Sequence, residues 1–158
     1  MFHLGIFDFK YFISIKTYKM AGNLTFTMIK PEAMRKGYSG SIIKMIQEAG
    51  FEIVALKMRH LSTEQAQEFY AVHAGRPFYD ELVSFMSSGP IISAVLKKDN
   101  AVEDYRALIG ATDPNEATDG TIRKSFATNK TMNAAHGSDS DDNAKIEMDF
   151  HFTSNEIF

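Results

Sequence analysis

The sequence contains no cysteine, which excludes disulfides, thiolate-bound zinc and a cysteine nucleophile, so the fold has to hold by packing alone. Nor is there an excess of charge of one sign. Its 17 Lys and Arg stand against 20 Asp and Glu, a net charge of −3, which argues against a protein that coats nucleic acid or anionic membrane while leaving room for a local basic pocket. Long apolar runs are missing as well. The Phe- and Ile-rich residues 1–19, MFHLGIFDFKYFISIKTYK, are broken by Asp8, Lys10 and Lys16, well short of the roughly 20 residues that span a bilayer. They carry neither a basic leader before an unbroken apolar stretch nor a small-residue cleavage pattern. Residues 1–19 are therefore expected to be a poorly ordered or loosely docked extension, with Met20 an alternative start of translation and a cytoplasmic location for the product.

What remains, residues 20–158, reads as one domain. The 158 residues are 44% hydrophobic and 23% charged, enough apolar material for a real core and a charged fraction near the globular average of about 25%. Leu24 to Ile29 is a β-prone run stopped by Lys30-Pro31. Ser39 or Ser41 is placed to cap a helix carrying Ile42, Ile43 and Ile46, with Gly50 to stop it. Val54, Leu56 and Met58 alternate with Lys57 and Arg59 as in a half-buried strand. Ser62 and Gln65 form a capping box ahead of Ala66, Phe69, Tyr70 and His73 at helical spacing, and Leu82, Val83 and Met86 mark another helix. Gly89-Pro90 precedes the strand IISAVLK, and Asn100 with Glu103 is a second cap pair for a helix that Gly110 ends. Residues 110–121 have almost no large apolar groups, a length of loop that implies function or mobility. The Ser/Asp cluster after His136 starts a last helix, which sets His136 near a helix N-terminus where an anion is favoured. Interleaved strands and helices with short connections predict an α+β sandwich.

The common phosphate-loop, dinucleotide, zincin and hydrolase signatures are absent, so a phosphate site needs another design. The ingredients for one are His136, Ser138, Asp139, Glu147 and the scattered Lys30, Arg106 and Arg123. A neutral imidazole can attack phosphorus without first losing a proton, a carboxylate can fix its tautomer, and guanidinium groups can neutralise phosphoryl oxygens.

The segment NAAHGSDS at 133–140 resembles the active-site signature of nucleoside diphosphate kinases, N-x-x-H-G-S-D-S. Similar to that family, in the same order, are T-x-x-M-I-K-P-E-A at 25–33, F-Y-x-x-H-x-x-R-P-F at 69–78, S-G-P at 88–90, R-x-L-I-G-A-T-D-P at 106–114 and G-T-I-R at 120–123. The resemblance covers about residues 23 to 152. It implies a ferredoxin-like α+β fold with a four-stranded antiparallel sheet covered by helices. It also implies transfer of the γ-phosphoryl group from a nucleoside triphosphate, mainly ATP, to a nucleoside diphosphate. The implied route is ping-pong, through phosphohistidine, with Mg²⁺ on the nucleotide phosphates. A homotetramer or homohexamer is implied, with no membrane and no specific nucleic acid as partner.

Carried onto this sequence, the resemblance makes His136 the nucleophile through Nδ1 and Glu147 the carboxylate that orients it. Lys30 reaches the transferred phosphate and the ribose, Asn133 the sugar 3′ hydroxyl, and Arg106, Thr112 and Arg123 the phosphates, under a loop that encloses the nucleotide. Tyr70 and His73 face the phosphates and the catalytic ring, Phe78 stacks on the base, and Asp139 touches Mg²⁺ through water. Departures from the family pattern are Asp141 and Asp142 after the signature, Tyr79 for a common Phe, and Lys130 at a position often apolar opposite the base; they bear on oligomer contacts and base affinity. Two alternatives stand beside this reading: a catalytically silent relative, which would be expected to have lost His136, Lys30 or an Arg, and a nucleotide- or RNA-binding module on a similar sandwich, which would need exposed aromatics and a basic face.

Overall fold

The runs LTFTMI at Leu24–Ile29 (β1) and PIISAVLK at Pro90–Lys97 (β3) are buried along nearly their whole length, so a sheet built around them needs cover on both faces. In a computed structural model, which describes residues 22–158, that cover is present. The extension expected over residues 1–19, and Met20, lie outside the described residues. The remaining elements are α1 (Pro31–Arg35), α2 (Ser39–Glu48), β2 (Glu52–His60), α3 (Thr63–Phe69), α4 (Tyr79–Met86), α5 (Ala101–Ile109), α6 (Ile122–Phe126), β4 (Ala135–Gly137) and α7 (Asp141–His151), with 3-10 turns at Ala71–His73 and Ser154–Glu156.

The strand order is β2-β3-β1-β4 and every neighbouring pair is antiparallel. Alternation along β1 and β3 sends Phe26, Met28, Ile91 and Val95 to one face, against Ala66 of α3, Leu82 and Met86 of α4 and Met148 of α7. Ile29, Ile92, Ala94 and Leu96 face the other way, onto Ile42 and Ile46 of α2, Tyr105 and Ile109 of α5 and Ile122 of α6. This is the expected ferredoxin-like sandwich.

Several local signals act as read. The Ser62–Gln65 capping box is complete, Gly50 (φ +84°) closes α2, and Ser140 caps α7 by accepting from the Asn143 N–H at 3.1 Å. Others do not. Neither Ser39 nor Ser41 caps α2, because Tyr38 already has helical dihedrals and the chain enters the helix without the extended break a serine cap requires. Asn100 precedes α5 in a left-handed conformation (φ 57°), and its amide reaches the Glu103 and Asp104 carboxylates instead of the first-turn N–H groups. The helix with Tyr70 and His73 stops at Phe69 and tightens into the 3-10 turn.

The largest correction concerns β2. A bulge between Ile53 and Ala55 turns both Val54 and Ala55 to the same core, and the alternation beyond it is inverted. Leu56 and Met58 are 48% and 64% exposed. Lys57 and Arg59 point towards α7 and beyond, where Lys57 pairs with Glu156 at 2.9 Å and Arg59 meets His151 Nδ1 at 3.0 Å.

Candidate active site

His136 lies in β4, directly opposite Met28 of β1. Directly opposite residues of an antiparallel pair project to the same face, so the ring emerges beneath α7, with Phe26 and Phe69 at 6.1 and 5.5 Å between centroids. The expectation that His136 sits at a helix entrance is thereby corrected. It belongs to a three-residue strand, and the helix begins only after the Ser140 cap. A strand of HG-type residues flanked by small ones has too little pattern to be read in advance, and α6 was missed for the same reason of length.

The backbone around the histidine is constrained. Ala134 has φ +68°, a region costly for a residue with a Cβ. A Cβ at Gly137 would come within 2.9 Å of the Tyr105 ring, so only glycine lets β4 lie this close to α5. Thr27 Oγ1 donates to the His136 carbonyl at 2.9 Å and lies 2.6 Å from the Tyr105 hydroxyl. Gly137 stood in the signature without a stated reason, and Tyr105 left no signal beyond being one more apolar helix position.

From α7, Glu147 Oε2 reaches His136 Nε2 at 3.0 Å. The approach is oblique to the ring N–H direction, and no in-line acceptor serves that nitrogen. The same carboxylate oxygen accepts from Ser138 Oγ at 2.6 Å, and Ser138 Oγ in turn accepts from the Phe26 N–H at 3.3 Å. The carboxylate is thus fixed from below and leans on one ring nitrogen. The ring's side chain is 20% exposed, and Nδ1 makes no hydrogen bond among the described residues.

Around this ring the chain gathers unpaired cations. Lys30 ends β1 and is buried. Its Nζ has only the Thr131 carbonyl, at 3.5 Å, and burial together with the Arg123 guanidinium pushes it down to about 7. Arg123, buried on α6, donates to the Gly110 carbonyl at 2.9 Å and the Ala135 carbonyl at 3.0 Å. Burial, opposed by Tyr105 and reinforced by Arg106, brings it down to about 10, still cationic at neutral pH. Neither Lys30 nor Arg123 meets a carboxylate among the described residues. Besides His136 Nε2, which has the Glu147 carboxylate obliquely beside it, five buried side-chain polar atoms lack a hydrogen-bond partner there, and three belong to this group: Tyr70 Oη, Arg123 Nε and Asn133 Oδ1. Such an atom costs about 1–3 kcal/mol when unsatisfied, so their clustering marks a place built for a polar ligand. Burial, with the Glu147 charge adding to it, raises the Tyr70 hydroxyl above the usual phenol range and keeps it a donor.

A line of rings leads outward. Tyr70 lies 6.5 Å from His136, His73 stacks on Tyr70 at 6.3 Å, and Phe78 lies 5.6 Å from His73 and is half exposed. Arg106 is exposed on α5 and close enough to Asp139 to help hold that carboxyl low, after the Asn143 amide at 2.6 Å. Thr112 is exposed in the loop two residues past Gly110. No group of three or more metal-binding side chains occurs among the described residues. The single carboxylate of Asp139 fits an ion that arrives on phosphates and keeps its water, and does not by itself form a cage for one.

The sequence profile of the family described as nucleoside diphosphate kinase matches residues 23–157. A nucleoside diphosphate kinase of Flavobacterium psychrophilum is 60% identical over 139 residues, covering 88% of this chain and all of the relative. One of Chloroherpeton thalassium is 56% identical over 84% of this chain and 94% of its own length. Among solved structures, the Aquifex aeolicus nucleoside diphosphate kinase superposes with a TM-score of 0.84 at 45% identity, covering 86% of this chain and 99% of that one. The Halobacterium salinarum enzyme, in complex with CDP, gives 0.83 at 35% identity over 87% and 92%. The profile and these relatives cover almost the whole described chain at up to 60% identity, the solved structures share its fold, and the protein belongs to the nucleoside diphosphate kinase family.

Proposed function

We propose that the chain moves the γ-phosphoryl group of a nucleoside triphosphate, mainly ATP, onto a nucleoside diphosphate by a ping-pong route through His136. The observation that carries this is the division of labour between the two ring nitrogens. Glu147, held by Ser138, lies against Nε2 and favours the tautomer with its proton there. That leaves a lone pair on Nδ1, the nitrogen without a partner. Nδ1 attacks the γ-phosphorus, the N–P bond forms as the bond to the β–γ bridging oxygen breaks, and the diphosphate departs with that oxygen. A second diphosphate then takes the group by the reverse displacement, so one site serves both nucleotides.

In this reading Lys30 and Arg123 neutralise the transferred oxygens, Tyr70 donates to them, and Arg106 and Thr112 hold the outer phosphates. Asn133 takes the sugar hydroxyl, which fills the vacancy at its Oδ1, and Phe78 stacks on the base with His73 behind it. Mg²⁺ bound to the nucleotide phosphates would spread their charge, with Asp139 holding one of its waters. Residues 20–158 act as the catalytic domain, in a cytoplasmic setting.

Incubation with γ-labelled ATP followed by acid or base treatment tests the route. Phosphohistidine is lost in acid and kept in base, and His136→Ala abolishes labelling and exchange; acid-stable label, or exchange surviving in His136→Ala, refutes it. A homotetramer or homohexamer is proposed at β2, an edge strand of the sheet on which Leu56 and Met58 are exposed.

A further inference from the structure

A cavity of about 350 Å³ opens between the start of α4 and the segment 128–131, lined among others by Glu81, Asp113, Asn115, Asn129 and Lys130. Its size suits a small ligand or part of one. Phe78 caps α4 three residues before Glu81, so the two lie on the same side of that helix end, and Lys130 lines the same cavity as Glu81. Lys130 Nζ is 3.2 Å from Asp113 Oδ2, and its side chain is 69% exposed against 17% for Asp113. The other Asp113 oxygen accepts the Asn115 N–H at 2.9 Å. The carboxylate is therefore fixed, and it holds the exposed Lys130 ammonium against the cavity.

We propose that Lys130, held by Asp113, makes the base slot prefer guanine to adenine; this rests on the nucleotide-exchange reading of the site. An ammonium only donates hydrogen bonds, and the Glu81 and Asp113 carboxylates only accept them. Guanine offers O6 and N7 as neighbouring acceptors to the one cation, with its N1–H and 2-amino group as donors to the carboxylates. Adenine sets an amino group where O6 would be, so the ammonium meets a donor and loses a partner. An ion pair whose lysine is largely exposed contributes little to folding, which leaves Lys130 free to turn from Asp113 towards a base at small cost.

Calorimetric binding of GDP, IDP and ADP, with Mg²⁺, to the full chain and to Lys130→Met and Lys130→Arg tests this. IDP has the O6 of guanine without its 2-amino group. GDP and IDP are expected to bind the unmodified chain about tenfold more tightly than ADP, the scale of one charge-assisted hydrogen bond. Lys130→Met should bring the ratio close to one by weakening GDP and IDP, and Lys130→Arg should keep the preference. A ratio unchanged in Lys130→Met, no preference in the unmodified chain, or IDP behaving like ADP would each overturn the role of Lys130. Failure of all three diphosphates to bind a folded chain would instead remove the exchange reading, and this inference with it. Unchanged thermal melting of both variants, expected for so exposed a side chain, separates lost selectivity from lost folding.

Discussion

Two histidines share one aromatic cluster and have opposite surroundings. His136 and His151 both contact Phe26 and Phe69. His136 opens to solvent on one side and has a carboxylate at Nε2. His151, at the end of α7, is 3% exposed, stacks on Phe26 at 4.7 Å and has the Arg59 guanidinium and the Ser93 hydroxyl at Nδ1, each at 3.0 Å. Burial first, then the positive charge of Arg59, pushes His151 down to about 3. The comparison separates what an imidazole is from what a nucleophile needs, namely one nitrogen assigned its proton and the other given access and cationic company. His151 has neither the carboxylate nor the opening.

The sharpest way to break the comparison is to exchange the losses. His136→Ala should reduce nucleotide exchange by about four orders of magnitude or more, the scale seen when a covalent nucleophile is removed, while His151→Phe should leave most of it. Equal losses in the two variants would mean that the cluster acts as one unit.

Lys30→Met should lower exchange by about 10²–10³, the scale of one lost charge-stabilising donor, and yet raise stability near neutral pH by about 1 kcal/mol or more, because it removes a buried ammonium with no carboxylate partner. Since Lys30 is pushed down to about 7 from an unfolded value near 10.4, the unfolded chain binds the extra proton between those two limits. Stability of the unmodified chain should therefore climb as pH rises from about 7 to 10, and urea unfolding of Lys30→Met should lack that climb. Glu147→Gln should cost a smaller factor, about 10–100, read as a fall in kcat with KM for the diphosphate nearly unchanged.

The parts of the molecule that were legible in the sequence are those where one residue type has one local reason. The buried runs of β1 and β3, the Ser62 box and the Gly110 stop are of this kind, and so is the ordered set of motifs around His136, Lys30 and Arg123. The parts that were not legible depend on partners distant in the chain. The phase of β2 turns on a bulge that no composition announces, and with it whether Lys57 or Leu56 faces α7. The brace on Glu147 runs through Ser138 to the Phe26 backbone, 112 residues away, and Tyr105 matters only because Gly137 lets β4 approach it. The pairing of Lys130 with Asp113 joins two loops whose separate sequences carry no sign of each other.

The smallest effect comes from the silent histidine and is visible only as a slope. His151 takes its proton at about 3 when folded and near 6.5 when unfolded. Between those values the unfolded state binds more protons, so stability is full above about pH 6.5 and declines as the pH falls towards 3. The decline from this one group is bounded at about 1.4 kcal/mol per pH unit. The stability contributed by Glu156, a carboxyl held down to about 2 chiefly by Lys57, begins to fall only near its unfolded value of about 4.3, so it leaves the upper part of the His151 window clear. Arg59 faces His151 from β2 with Lys57 beside it, and His136 adjoins the same Phe26 and Phe69 rings, so positive charge on any of these neighbours works against the charged ring. Urea unfolding of the unmodified chain and of His151→Phe between pH 7 and 4 should diverge steadily, the variant losing less. Parallel curves would mean that the ring accepts its proton as readily in the folded state as in the unfolded one.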